Sequence, residues 1–305
     1  MKNKIFSILG PTASGKTKLS IEIAQKYKAE ILSSDSRQFY KELNIGVAKP
    51  TQIELNTVKH HFINSHSIQK PLSAGQYSKE SLEFCKNYFL KNNFLILVGG
   101  SGLFTDALTI GIDDLPSNFS LNEQIALEYE KFGIDYLIHR IKTMDASVLG
   151  EVDLKNPRRL IRALEILTLQ KEDKMNVNHE KSMNNDFFDV FRCFINWKRA
   201  DLYDRINLRV DQMMEMGLLE EAKNLYPVRK SRALKTVGYQ ELFDFIENKC
   251  SLTDAVDKIK QHSRNYAKRQ LTWLKRYDEV YSLDPYSSVS LVEQFNDKIS
   301  IWNEN

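Results

Sequence analysis

The chain has 305 residues, 42% of them hydrophobic and 27% charged, with a formal net charge of +3. That length suffices for a large core and about two domains, and a charge so near balance says little as an average. Cys85, Cys193 and Cys250 are isolated and odd in number, which excludes a disulfide framework or a zinc knuckle and points to a reducing cytosol. No stretch approaches the roughly 20 apolar residues of a membrane helix, and the apolar run after Lys4 is too short for a signal-peptide core. A cytoplasmic protein without membrane contact is expected.

In chain order, Lys4 to Leu9 reads as a buried strand and Lys16 to Tyr27 as a helix with Leu19, Ile23 and Ala24 on one face. Between them lie Gly10, Pro11, Thr12, Ala13, Ser14, Gly15, Lys16 and Thr17, in the spacing G-x-x-x-x-G-K-T. Strand, glycine-rich loop and helix are the context this P-loop motif requires. Its backbone N–H groups bind oxyanions, helped by the positive helix N-terminus. Gly10 and Gly15 permit the turn and the close approach of phosphate. Lys16 reaches terminal phosphate oxygens, and Thr17 offers a hydroxyl to Mg2+. The alternative is a chance match in a loop, against which both flanking elements speak. The motif specifies a polyphosphate, not which one.

Glu30 to Ser33 is expected as the second strand, running into Ser34-Asp35-Ser36-Arg37-Gln38. His60 and His61 fall in a polar, loop-like stretch without metal-ligand spacing. Ser78 to Leu90 reads as a helix and Phe94 to Val98 as a strand. That strand ends in Gly99-Gly100-Ser101-Gly102, without the acid that an NTP hydrolase places there to hold metal and water. Asp35 is left as the nearest candidate acid. Alternating strands and helices imply a parallel sheet covered on both faces. Ligands then lie beyond the carboxyl ends of the strands, where the glycine-rich loop, Asp35 and Gly99–Gly102 can converge.

Ile112 to Pro116 looks like a border, followed by a helical pattern to about Gln170 and a polar, Asn-rich segment, Lys171 to Asp186, read as a loop. Val190 to Ile195 returns as a strand, Asp201 onward is mostly helical, and Glu279 to Leu283 is a last short strand. The expected fold class is α/β: a P-loop-type parallel sheet flanked by helices, formed by residues 1–114 and 185–305, with an all-helical insertion domain at 115–184. No internal repeat is visible.

Two basic helices stand out. Asn156-Pro157 opens one, with Leu160, Leu164 and Leu167 as its buried stripe and Arg158 and Arg162 on another face. A solvated face with Arg162–Glu165 pairing is the plain alternative. The other runs from about Leu252 to Arg276, burying Val256, Ile259, Ser263, Tyr266 or Ala267, Gln270 and Leu274. Between Asp257 and Asp278 it has no acid, while Lys260, Arg264 and Lys268 rise at four-residue steps as a ridge suited to a nucleic-acid backbone. An ordinary solvated helix is the alternative. Trp273 and Tyr277 are read as packing residues rather than base-stacking platforms.

Over nearly its whole length the chain resembles the tRNA dimethylallyltransferases (tRNA isopentenyltransferases). The matching strings are residues 10–17 and 34–38, Asn44-Ile-Gly-Val-Ala-Lys-Pro50, Gly99-Gly-Ser-Gly-Leu103 and Asn156-Pro-Arg-Arg-Leu-Ile-Arg-Ala-Leu-Glu165. Arg209-Val with Met213 and Gly217-Leu218, Val237-Gly-Tyr239, and Tyr266-Ala-Lys-Arg-Gln270 with Trp273 complete the ordered set. The resemblance implies transfer of a dimethylallyl group from dimethylallyl diphosphate to N6 of the adenine immediately 3′ of the anticodon. It implies an α/β core with a helical insertion that closes on the anticodon stem-loop.

By the same resemblance, residues 10–17 with Mg2+ on Thr17 hold the diphosphate, Arg209 handles it, and Asp35 takes a proton from N6. The nucleotide (ATP) site named for such proteins is expected to be this prenyl diphosphate site. tRNA contacts are implied for Asp35, Ser36, Arg37, Gln38, Ser101, Arg158, Arg159, Leu160, Ile161 and Arg162, with Arg264 and Lys268 on phosphates. Ser101 and Phe104 stand where the family usually has Thr and Tyr, and Asn64-Ser65-His66 departs from a more usual acidic region. The zinc finger of some eukaryotic relatives is missing, as in the short bacterial type. A P-loop kinase of a small metabolite, an AMP-prenylating relative and a non-enzymatic RNA-binding module are the competing readings. Nothing suggests an obligate dimer, so a monomer is expected.

Overall fold

The structure is a computed structural model that describes residues 3–112, 115, 117–173 and 187–304. β1 (Asn3–Leu9), β2 (Glu30–Ser33), β3 (His60–His61), β4 (Phe94–Val98), β5 (Phe188–Ile195) and β6 (Tyr281–Leu283) form one sheet in the order β3-β2-β4-β1-β5-β6. Every pairing is parallel, with Ile8 opposite both Val98 and Cys193. A sheet of this kind is covered on both faces, so its central strands are continuous apolar runs such as the buried Ile5–Leu9.

One face packs against α1 (Lys16–Tyr27) and the closing helix of the chain, Leu291–Glu304, through Phe6, Ile8, Ile23, Phe191 and Phe295. Toward the other side lie α3 (Ala74–Tyr88) and α4 (Gly102–Thr109), whose Tyr77 and Thr105 bond to Ser33 O and the Ser34 hydroxyl. The connection after β1 runs toward β2, and the one after β5 runs the opposite way toward β6. A crevice therefore opens outside the carboxyl ends of β1 and β5. Three more helices frame it: α8 (Arg199–Glu215), α10 (Tyr239–Ile246) and α11 (Leu252–Leu274). They share a core with the 40–48 segment through Tyr40, Leu43, Val210, Tyr239, Leu242 and Ile259.

Several elements depart from the sequence reading. His60–His61 is not loop but an edge strand paired with Ile31 and Leu32, and His61 Nε2 lies 2.5 Å from Glu30 Oε2. Two residues are too few to show a period of two. The helix expected from Ser78 begins at Ala74, where Ser73 and Gln76 form a capping box. α11 ends at Leu274, two residues before Arg276, and buries Ala255 rather than Val256 or Ser263. Of the expected Lys171–Asp186 loop, residues up to Asp173 are helical, and 174–186 lie outside the described residues.

The chain divides into two compact units, Met1–Gly111 with Met183–Asn305, and Ile112–Ser182. Taken by itself, the second is helical among its described residues. α5 (Phe119–Phe132), α6 (Ile134–Met144) and α7 (Pro157–Asp173) enclose Ile125, Leu137, Ile141, Leu160 and Leu164. Asn156 opens α7, with Oδ1 accepting from Arg159 N at 3.4 Å. Glu165, 1% exposed, ties α7 to the start of α5. It accepts from Asn118 N at 2.8 Å, Asn122 Nδ2 at 2.5 Å and Arg162 Nη1 at 3.0 Å. The Arg162–Glu165 pair thus serves a buried joint, not a solvated face. Glu165→Ala strands these donors, and it should cost about 3 kcal/mol and lower the urea midpoint of this unit, followed by circular dichroism; Glu165→Gln should cost less.

Candidate active site

The glycine-rich loop leaves β1 with Gly10 at φ 122° and enters α1 with Gly15 at φ 95°. Both values lie in the left-handed region that only glycine adopts without strain. Ala13 is also left-handed, at φ 62°, and is held there from outside. Arg205 Nε donates to Ala13 O at 2.8 Å, Trp197 Nε1 to Ser14 O at 2.9 Å, and Arg209 Nη1 to Thr12 Oγ1 at 3.3 Å. Gln270 bridges two loops: Thr12 N donates to its Oε1 at 3.0 Å, and its Nε2 donates to Gly100 O at 2.9 Å. The Ser14 hydroxyl is buried, at 1% exposure, and has no hydrogen-bond partner among the described residues. Lys16 Nζ folds back on Pro11 O at 2.6 Å.

Glycines at the end of β4 permit close packing rather than unusual torsions. A Cβ on Gly99 would lie 2.2 Å from Ser34 Oγ, one on Gly100 2.1 Å from Gln270 Nε2, and one on Gly102 2.3 Å from the Trp273 indole. Trp273 Nε1 donates to Asp106 Oδ2 at 3.0 Å, and Tyr277 OH to Asp106 Oδ1 at 2.5 Å. Both aromatics are packing residues, as their sequence context indicates.

Asp35 follows β2, and its Oδ1 accepts from Arg37 N at 3.0 Å. This turn sets the carboxylate at the sheet edge. Ser101 Oγ donates to Ser36 Oγ at 3.0 Å and accepts from Ser36 N at 3.2 Å, joining the loops after β2 and β4. Gln38 Nε2 donates to Val47 O and Ala48 O, at 3.2 and 3.0 Å. Glu221 accepts from Ile45 N, Gly46 N and Tyr239 OH, at 2.8, 3.0 and 2.6 Å, and so anchors the 44–50 string. Phe104 packs with its ring centroid 5.4 Å from those of Phe39 and Tyr77.

Three cations converge on the loop. Burial first, then the Arg209 guanidinium, lower the Lys16 ammonium to about 7, while Asp35 opposes them. Arg209 is pushed down by burial and by Arg205. Among the described residues none of the three forms an ion pair. Burial and the charge of Asp35 raise the phenol of Tyr266, which sits against Ser101.

Arg209 bonds the 10–17 loop and Asp35 acts electrostatically on Lys16, while Ser36 and Ser101 join the neighbouring loops, Gln38 bonds to the 44–50 string and Arg37 Nη1 donates to Arg232 O at 3.4 Å. Sequence reasoning missed Arg205, Trp197, Tyr266 and Gln270 as site residues. The four-residue step from Arg205 to Arg209 was the one legible sign, placing both on one side of α8. The basic ridge needs correction. Lys260 pairs with Asp211 of α8 at 2.6 Å, and Arg264 Nη1 donates to Asn207 Oδ1 at 2.6 Å, leaving Lys268 as the exposed member. The stretch of α11 without acids finds its acid on the neighbouring helix. In the second unit Arg158 and Arg159 are exposed, whereas Leu160 and Ile161, expected at the tRNA, lie in its core and offer RNA no side chain. No group of three or more His, Cys, Asp or Glu residues converges among the described residues, so a cation here would rest on the Thr17 hydroxyl and on ligand oxygens. No helix among them is long and apolar enough to cross a membrane.

A parallel α/β sheet whose carboxyl-edge loops assemble a cationic, glycine-lined crevice is the class that fold and site define. The IPP transferase family model matches residues 38–277. Among curated proteins, a tRNA dimethylallyltransferase of Flavobacterium johnsoniae is 42% identical over 288 residues, covering 92% of this chain and 93% of that protein. A tRNA dimethylallyltransferase 1 of Bacteroides fragilis is 40% identical over 282 residues, with coverages of 92% and 93%. The crystal structure of the full-length tRNA isopentenylpyrophosphate transferase of Bacillus halodurans superposes with a TM-score of 0.72 at 31% identity, over 99% of this chain and 98% of that one. The chain belongs to the IPP transferase family, the tRNA dimethylallyltransferases, and is an enzyme of that family.

Gly102→Ala tests the close packing of the crevice wall. The added methyl must expel the Trp273 indole from Asp106, costing about 1–3 kcal/mol. A lower melting temperature with a changed tryptophan emission spectrum is the expected result.

Proposed function

We propose that this enzyme transfers a dimethylallyl group from dimethylallyl diphosphate to N6 of the adenosine immediately 3′ of the anticodon in tRNA, releasing diphosphate. One observation carries the diphosphate half: Lys16, Arg205 and Arg209 crowd a glycine-rich loop without an ion-pair partner among the described residues, beside an orphaned Ser14 hydroxyl. Such a cluster is unfavourable alone and favourable around a polyanion. The names of the relatives support the acceptor half.

In this reading the amides of residues 13–17, with Lys16 and Arg209, bind the diphosphate and stabilise the charge that grows on it as the C1–O bond breaks. Thr17 would hold Mg2+ through its hydroxyl, and the ion when bound would supply further charge neutralisation. N6 attacks C1, the N6–C1 bond forms, and the N6 proton passes to Asp35. An exocyclic amine is a poor nucleophile because its lone pair is delocalised into the ring, so a carboxylate accepting its proton is worth roughly 10²–10⁴-fold. The adenine is flipped from its loop to reach the crevice. Ser36, Arg37, Gln38 and Ser101 line its place, with the Tyr266 hydroxyl beside them. Core residues 1–114 and 185–305 hold the isoprenoid, and the 115–184 insertion binds the anticodon stem-loop through Arg158, Arg159 and Arg162. Lys268 and Arg264 add phosphate contacts, Arg264 less so because Asn207 already holds it. The enzyme works as a monomer in the cytoplasm.

Asp35→Asn should leave tRNA affinity nearly intact and cut single-turnover prenylation of unmodified tRNA by roughly 10²-fold; unchanged turnover would remove Asp35 as the base.

Lys16 makes binding depend on pH. In the free protein its ammonium titrates near pH 7, below an unfolded lysine, so the folded state binds fewer protons between about pH 7 and 10.4. Protonated Lys16 therefore costs the free protein stability at low pH, and stability rises through that window. Diphosphate requires the charged form, so its binding takes up a proton. Calorimetry should show affinity falling by up to about tenfold per pH unit above pH 7, with the slope flattened in Lys16→Arg.

A further inference from the structure

The carbonyls of Ala13 and Ser14 are each held by one donor from outside the loop. Arg205 Nε takes the first at 2.8 Å and Trp197 Nε1 the second at 2.9 Å. The two donors also touch each other, the guanidinium carbon lying 4.3 Å from the Trp197 ring centroid. Trp197 in turn packs edge-on against Tyr286, centroids 5.7 Å apart at 77°. A peptide unit is planar and trans, so its N–H points opposite to its C=O. Drawing the Ala13 and Ser14 carbonyls toward α8 turns the amides of Ser14 and Gly15 the other way, into the crevice. Among the described residues those two amides donate to nothing. Left-handed Ala13 would not keep this orientation unaided. Arg205 is exposed, so its role is not to fill a core.

We infer that Arg205 and Trp197 are positioning residues for the isoprenoid diphosphate, acting by aiming the Ser14 and Gly15 amides at it. The inference rests on the diphosphate reading of the crevice. It assigns Arg205 a role that charge alone does not fill. The planar guanidinium bonds a carbonyl through Nε while its carbon sits over an indole, and an ammonium cannot do both. Trp197 supplies the platform and the second donor.

The test is calorimetric titration of the full-length protein with inorganic diphosphate, beside steady-state kinetics with dimethylallyl diphosphate and tRNA. Arg205→Lys keeps the charge, and Trp197→Phe keeps a stacking ring but loses the N–H. Each should weaken diphosphate binding about tenfold, as for one lost hydrogen bond to a preorganised loop. Each should raise KM for dimethylallyl diphosphate in proportion and leave tRNA affinity unchanged. The double variant should lose less than the product of the two, because both act on one strained turn. Wild-type diphosphate affinity in Arg205→Lys would overturn the inference, as would a parallel loss of tRNA affinity in either variant. A wild-type protein that fails to bind diphosphate would overturn the reading of the crevice itself, and the inference with it.

Discussion

A glycine-rich turn has no side chains with which to hold its own shape, and everything at this site depends on how that shape is supplied from elsewhere. Here it comes from three directions: α8 through Arg205 and Arg209, the segment before α8 through Trp197, and α11 through Gln270. The bonds from Arg205 and Trp197 fix two carbonyls, that from Arg209 the Thr12 hydroxyl, and Gln270 takes the Thr12 amide, which leaves the amides of Ser14 and Gly15 without a partner among the described residues. The cost is electrostatic. Burial disfavours the charge on Lys16 and on Arg209, and Arg209 further repels Lys16 while Arg205 repels Arg209. A polyanion would relieve that repulsion, so the arrangement that strains the free protein would favour such a ligand.

The second constraint is distance between loops. Gly99, Gly100 and Gly102 let the end of β4 approach Ser34, Gln270 and Trp273 more closely than any side chain would permit. The Ser36–Ser101 hydrogen bond then ties the Asp35 turn to that same edge. The Asp35 carboxylate and the cations around the glycine-rich loop are thereby held on one rim of the sheet. Serine at position 101 preserves the hydroxyl that makes this tie. Phenylalanine at 104 fills an aromatic cluster with Phe39 and Tyr77, where packing matters and a hydroxyl does not enter.

Local elements were legible wherever the signal was local. α1, β2 and β4 run over the residues that their periodicity and flanking glycines indicate. The glycine-rich loop, the Asp35 turn and Arg209 stand out in the sequence because eight contiguous residues, a strand end and an ordered set of strings mark them. His60–His61 escaped because an edge strand of two residues has no pattern. Lys260 and Arg264 misled because a helix read alone hides its neighbours: Asp211 and Asn207, on another helix, meet the charge that α11 leaves unmatched. Leu160 and Ile161 share a string with exposed arginines yet belong to a core.

What the sequence by itself determined is the glycine-rich loop, the Asp35 turn and the α/β frame that brings both to the carboxyl edge of one sheet, since each is written in neighbouring residues whose torsions and spacing have few physical alternatives. Only the tertiary structure decided which cations, which glutamine and which indole hold the cradle open, and which basic residues remain exposed. Ala13 and Arg205 are 192 positions apart, and Thr12 and Gln270 are 258 apart. Contacts at such separation follow from how helices pack on the sheet, and no short-range period announces them.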